Sequence, residues 1–263
     1  MKVNILNPIT VLHIPHSASF IPVEEREYIL LSEKELAVEL LRMTDWFTDE
    51  LFISNSKENE VVCYPVSRLV LDPERFEDDS LEIMASRGMG IIYTKTSEGR
   101  TLRNVPDLNI RKKKIEQYYY PHHSQLLRRV ESILSKNGKA LVIDCHSFPS
   151  SPLPYELDQC KDRPDICVGT DPFHTPVWLT EFLKTSLIKR GFSVGINCPF
   201  SGALVPSKHF EKDASVAGIM IEINRGLYMN ENTGNRLSNF NSIKQTACDV
   251  VSELTQVFSN NNP

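Results

Sequence analysis

The chain has 263 residues, 41% of them hydrophobic, and no low-complexity tract, so it is long enough for a substantial core. A net charge of −5 gives no overall basic field for nucleic acid or an anionic membrane. No apolar run approaches the roughly 20 residues of a transmembrane helix, and Met1 to Thr10 has no apolar signal segment. The six cysteines are scattered without a CxxC pair, and Cys63, Cys145 and Cys167 fall in strand-like runs where a thiol acts as a small buried hydrophobe. Together these predict a reduced, cytoplasmic protein that binds neither nucleic acid nor membrane.

A first strand over about residues 10–14 leads into Pro15-His16-Ser17. Ser32 and Glu35 have capping-box spacing, and Leu36, Leu40, Leu41, Met43, Phe47 and Leu51 follow. This predicts an amphipathic helix over about 33–53, with Asp45 and Asp49 one turn apart. A second strand over 61–71 ends at Asp72-Pro73, and the polar, turn-rich segment 73–110 reads as an excursion at the rim of a sheet. A long helix over about 111–136 stops at Asn137-Gly138. Its basic clusters, Arg111 to Lys114 and Arg128-Arg129, read as solvated helix faces, and His122-His123 as structural.

Residues 139–143 form a continuous apolar run, as in a strand buried on both faces, followed by Asp144-Cys145-His146-Ser147. Beyond the irregular, Pro-rich segment 148–164 come a strand (166–168), a helix (175–190), a strand (192–196), a core strand (217–223) and a closing helix (238–258). Strands alternating with long helices predict an α/β three-layer sandwich with a mixed, mostly parallel central sheet. No linker or repeat divides the chain, so a single domain over 1–263 is expected.

The two His-Ser segments each place an imidazole just past an expected strand end, where ligands and catalytic groups gather in open α/β sheets. His16 and His146 could meet on one zinc ion, and a catalytic zinc usually takes three protein ligands and leaves one position open. Asp45, beside Trp46 and Phe47 in an otherwise apolar helix, is the choice for the third. Asp144 either orients an imidazole or is itself a ligand. Glu222 interrupts the apolar run Ile219 to Ile223, where an unpaired charge is costly, and a carboxylate there can serve as a general base. Arg68, Arg75 and Arg225 lie at strand ends and suit a small anionic substrate. GxGxxG, GxxxxGK[ST] and GxSxG motifs are absent.

These pieces resemble the N-formylglutamate amidohydrolase (N-formylglutamate deformylase) family. The match is carried by Ile14-Pro15-His16-Ser17, Thr44-Asp45-Trp46, Ser67-Arg68-Leu69-Val70 with Asp72 and Arg75, Asp144-Cys145-His146-Ser147, and Ile221-Glu222-Ile223-Asn224-Arg225. The resemblance implies a phosphorylase/hydrolase-like fold related to zinc carboxypeptidases. It implies zinc on His16, His146 and Asp45, and Glu222 as base and proton shuttle. Arg68, Arg75 and Arg225, with Asn224 beside them, would bind the substrate. Two positions depart from the family pattern: Glu74 stands in Asp72-Pro73-Glu74-Arg75 where the family often has Asn, and Ala18 where it often has Gly. If Glu74 faces the pocket, it would repel one carboxylate of N-formylglutamate.

The expected activity is metal-dependent hydrolysis of an N-formyl or other N-acyl amino acid, with N-formylglutamate giving formate and glutamate. Two alternatives stand beside it. One is a deacylase or carboxypeptidase-like hydrolase of a larger N-acyl or peptidic compound. The other is a non-catalytic module that binds acidic ligands on the same fold.

Overall fold

The computed structural model describes residues 8–54 and 59–261. Most of the initial segment in which no secretory signal was expected, residues 1–7, lies outside them. The strands are β1 (Thr10–Ile14), β2 (Glu60–Cys63), β3 (Ala140–Phe148), β4 (Ile166–Gly169), β5 (Val194–Ile196) and β6 (Val216–Asn224). The helices are α1 (Val23–Arg26), α2 (Glu33–Met43), α3 (Thr48–Leu51), α4 (Leu108–Lys114), α5 (Tyr120–Asn137), α6 (Val177–Lys189) and α7 (Phe240–Asn260).

The sheet order is β2-β1-β3-β6-β4-β5. Every neighbouring pair is parallel except β6 and β4. This is the mixed, mostly parallel α/β sheet expected. Central β3 and β6 are buried at all nine positions, which is why they read as largely apolar runs, broken by the polar residues of the site. Helix α5 covers one face, its His122 meeting His13 of β1. The other face carries α6 and α7, where Ile221 and Ile223 meet Leu187, Ala247 and Val250. Among the described residues no helix is long and apolar enough to cross a membrane.

Five local expectations change. The helix expected over 33–53 is broken. Its capping box forms as predicted, but α2 ends at Met43 and Asp45 donates its backbone N–H to the His16 carbonyl at 2.9 Å. Phe47 then adopts a left-handed conformation (φ 67°), held by ring contacts to Phe240 and Tyr228, before α3 begins. The second strand stops at Cys63 because Pro65 cannot donate to a ladder, and residues 67–72 form a turn. Cys63, at the end of this edge strand, is exposed, not buried; Cys145 and Cys167 are buried as expected.

The long helix does stop at Gly138, whose φ of 72° suits a left-handed cap. It passes through one π turn, Ile115–Tyr119, just before Pro121, which lacks the N–H for an α-helical bond. Within its basic cluster Lys114 is not solvated: it is buried in an ion pair with Glu25 of α1. Finally, β3 continues to Phe148, so His146 lies inside the strand and only His16 lies beyond one.

Candidate active site

Strand register builds the site. His13 pairs with Asp144 across β1 and β3, and His146 pairs with Glu222 across β3 and β6. Side chains two apart on a strand share a face, so His13, Asp144, His146 and Glu222 all project on the α5 side of the sheet. The break after α2 turns Asp45 inward to meet them. Its Oδ2 is 3.2 Å from His146 Nδ1 and 3.7 Å from His16 Nδ1, and accepts from the Ser147 N–H at 3.2 Å. His16, Asp45 and His146 are all buried, with ligand atoms close enough to hold one metal ion.

Each histidine is oriented by a carboxylate. His16 Nε2 donates to Asp72 Oδ1 at 2.8 Å, and His146 Nδ1 donates to Asp45 Oδ2. The other nitrogens, His16 Nδ1 and His146 Nε2, are buried without a hydrogen-bond partner. Two imidazoles with open nitrogens among several carboxylates are a donor set that fits a divalent cation, and zinc favours this mixture. Among the acidic neighbours is Glu74, whose Oε2 lies 3.2 Å from His146 Nε2.

The arginines take different places. Arg68 donates from Nη2 to Asp72 Oδ2 at 2.8 Å and from Nε to the Tyr93 hydroxyl at 3.1 Å. Tyr93 in turn donates to Asp72 through a short hydrogen bond. Arg75 sits 3.8 Å from Asp72 and 3.7 Å from Glu82, and its Nε has no hydrogen-bond partner. Arg225 is engaged by the protein itself: Nη2 reaches Asp45 Oδ1 at 2.9 Å and the Ser147 carbonyl at 3.0 Å. Asn224 is not brought into the site. Its amide caps the short 3-10 turn Arg225–Leu227 by accepting from the Gly226 N–H at 3.0 Å, and donates to the Pro164 carbonyl at 3.2 Å.

These groups line a cavity of about 300 Å³, at the small end for ligand pockets. Arg68, Arg75 and Arg225 all reach its wall, as do His16, His146 and Glu222. The two irregular segments complete it, through Met84 of the first and Leu153 and Tyr155 of the second. Arg163 braces the second segment by donating to the Pro149 carbonyl at 3.0 Å and pairing with Glu156.

The electrostatics separate the carboxylates. Burial opposes ionisation of Asp45, yet the hydrogen bond from His146, the nearby His16 ring and the Arg225 charge hold its carboxyl well below the usual range. Burial of Asp72 is likewise outweighed by Arg68 and His16, and that of Asp144 by His146 and His13. Burial of His146 is outweighed by Glu74 and Asp144, which raise its proton affinity. For His16, burial and Arg68 are outweighed by Asp72 and Asp45. Glu222 goes the other way: burial, with Asp45 and Glu74 adding, pushes it up to about 8 against His146 and Arg225. A carboxyl so poised among charged neighbours is suited to moving a proton.

Sequence reasoning did not single out His13. It donates from Nδ1 to Asp144 Oδ1 at 2.8 Å, so its Nε2 accepts from His122 Nε2, also at 2.8 Å. A polar residue inside the apolar run Thr10 to Ile14 was the available signal.

Comparison with known proteins agrees with this arrangement. A family model described as N-formylglutamate amidohydrolase matches residues 9–229. An N-formylglutamate deformylase of Pseudomonas putida is 26% identical over 194 residues, covering 72% of this chain and 71% of that protein. Among solved structures, an N-formylglutamate amidohydrolase from Ralstonia eutropha matches with a TM-score of 0.79 at 20% identity, over 95% of this chain and 94% of that one. A gene product of Agrobacterium tumefaciens matches with a TM-score of 0.67 at 16% identity, over 96% and 91%. The structural likenesses concern the fold; the family model spans most of the chain and every site residue discussed here. The chain therefore belongs to the N-formylglutamate amidohydrolase family.

Proposed function

We propose that this protein is a metal-dependent amidohydrolase that cleaves the formyl amide of an N-formyl amino acid, N-formylglutamate first among them, to formate and the free amino acid. The observation that carries this reading is the pairing of His146 with Glu222 on the wall of a small cavity that also presents Arg68 and Arg75. His16 and His146, with a neighbouring carboxylate, would hold the divalent ion, zinc by the chemistry of the donors. When bound, such an ion supplies Lewis acidity to water and to the acyl carbonyl.

Glu222 takes a proton from the attacking water as the carbon–oxygen bond forms. It passes that proton to the nitrogen as the carbon–nitrogen bond breaks. Its proton affinity is raised first by burial and further by Asp45 and Glu74, so neutralising those carboxylates would lower it toward that of a working base. The guanidiniums of Arg68 and Arg75 would receive the substrate carboxylates, and Arg225 keeps Asp45 in place. The limited cavity favours a small acyl amino acid over a peptide.

The test is formate release from N-formylglutamate by the purified, metal-loaded protein, run beside N-acetylglutamate and dipeptides. Turnover of the formyl substrate with stoichiometric metal is expected. Preference for a larger acyl or peptidic substrate, or metal-free binding of acidic ligands without turnover, would overturn the reading.

A further inference from the structure

Among the described residues Glu74 and Glu222 are the carboxylates of this cluster with no hydrogen-bond donor, and of the two only Glu74 lies in ion-pair contact with imidazoles. Asp45 accepts from Ser147, His146 and Arg225; Asp72 accepts from His16, Arg68 and Tyr93. Asp144 accepts from His13 and from the Leu204 N–H at 3.2 Å, and its Oδ1 also lies 3.1 Å from His146 Nε2, but it makes no ion-pair contact with His16 among the described residues. Among the described residues the ion-pair contacts of the Glu74 carboxylate are all with imidazoles, His13 Nδ1 lying 3.7 Å from its Oε1. Its Oε2 lies 3.2 Å from His146 Nε2 and 3.7 Å from His16 Nδ1. Those are the two nitrogens that are buried and unpartnered.

The position of Glu74 is fixed by its surroundings. Its backbone N–H donates to Asp72 Oδ1 at 3.0 Å, the same oxygen that orients His16. The preceding Pro73 carbonyl accepts from His123 Nε2 of α5 at 2.8 Å. The side chain is only 17% exposed, and with its own N–H and the preceding carbonyl both held it is aimed at the two open ring nitrogens.

We propose that Glu74 is a metal ligand, its carboxylate joining His16 Nδ1 and His146 Nε2 around one divalent cation. Asp45 also lies 3.7 Å from His16 Nδ1, but it meets His146 at Nδ1, on the ring edge away from the open nitrogen. In this arrangement Asp45 orients His146, as a carboxylate behind a ligating histidine does. The assignment rests on the metal-dependent reading above and sharpens it. It also removes the difficulty of an acid in an anion pocket, because a cation-bound Glu74 no longer repels the substrate carboxylate.

The test is metal affinity, measured by chelator competition with zinc, and the visible spectrum of the cobalt(II)-loaded protein. Wild type and Glu74→Gln are compared, with Glu74→Asp as a second variant that keeps the charge and shortens the reach. Circular dichroism of the metal-free proteins confirms equal folding. Glu74→Gln should weaken zinc at least tenfold and alter the cobalt ligand-field bands, while Glu74→Asp should bind zinc more tightly than Glu74→Gln. An affinity within tenfold of wild type, or an unchanged cobalt spectrum, in Glu74→Gln overturns the assignment and leaves the metal-dependent reading intact. A wild-type protein that takes up no zinc or cobalt overturns both.

Discussion

His146 and Glu222 stand opposite each other on adjacent parallel strands, so a ring with an open nitrogen and a carboxyl with a raised proton affinity are held by the same backbone ladder. The ladder, not a flexible loop, sets their separation. That places the proposed proton-transfer group on the central strands of the sheet, where a site is held most precisely.

Replacing Glu222 by Gln keeps the shape and removes the base. Turnover should fall about 10²- to 10⁴-fold, the usual contribution of a positioned acid–base group. Metal content and thermal stability should stay close to wild type. Steady-state kinetics with metal analysis of the same preparation checks both, and near-normal turnover would remove Glu222 from the mechanism.

Arg75 carries a buried Nε without a hydrogen-bond partner at the cavity wall. A charge-assisted hydrogen bond is worth about 1.5–3 kcal/mol. Arg75→Met should therefore raise KM for a dicarboxylic substrate by roughly 10- to 100-fold, with a smaller change in kcat. An analogue lacking the side-chain carboxylate should lose less, and equal losses for both would argue against a substrate contact.

Asp45 and Arg225 are both almost fully buried, 2.9 Å apart. Asp45→Ala leaves a guanidinium without its partner, which costs about 3–5 kcal/mol in comparable buried pairs. Adding Arg225→Met should recover part of that loss in denaturant unfolding. Failure to recover any would show that Asp45 stabilises through His146 and Ser147 instead.

His122 is neutral in the folded protein: burial, then the neighbouring His13 and His123, push it down to about 2. The unfolded chain takes up a proton there near pH 6.5, so the native state is disfavoured as pH falls below that value. His122→Gln keeps a donor toward His13 without the titration. Measured by urea unfolding from pH 6 to 4.5, wild type should lose stability relative to this variant by up to about 1.4 kcal/mol per pH unit. A pH-independent difference would contradict the buried neutral assignment.

Much of the fold was legible because its signals are local. The apolar stretches that became the cores of β3 and β6, the capping box of α2 and the cap at Gly138 were all read correctly, although β3 runs on to Phe148. The break after Met43 was hidden because Met43, Phe47 and Leu51 keep helical spacing across it, and the left-handed Phe47 depends on distant rings. Asp45 was therefore selected for the site without the reason it points there. Asn224 was misplaced for a similar cause: it continues the Glu222 strand, but its amide closes the next turn. His13 and Glu74 draw their meaning from partners in other segments, His122 and Asp144 for one, His16 and His146 for the other.

Strand β4 runs against β6, with Ile166 beside Ile223, so the chain enters β4 at the rim where the site lies. The segment between β3 and β4 thus departs and returns at that rim, with only β6 between its anchor points, a span of roughly 10 Å at the usual strand spacing. That span is independent of how many residues bridge it, and lengthening a loop costs little closure entropy. An insertion or deletion between residues 149 and 164 can therefore reshape the cavity wall while leaving the strand register that pairs His146 with Glu222 unaltered.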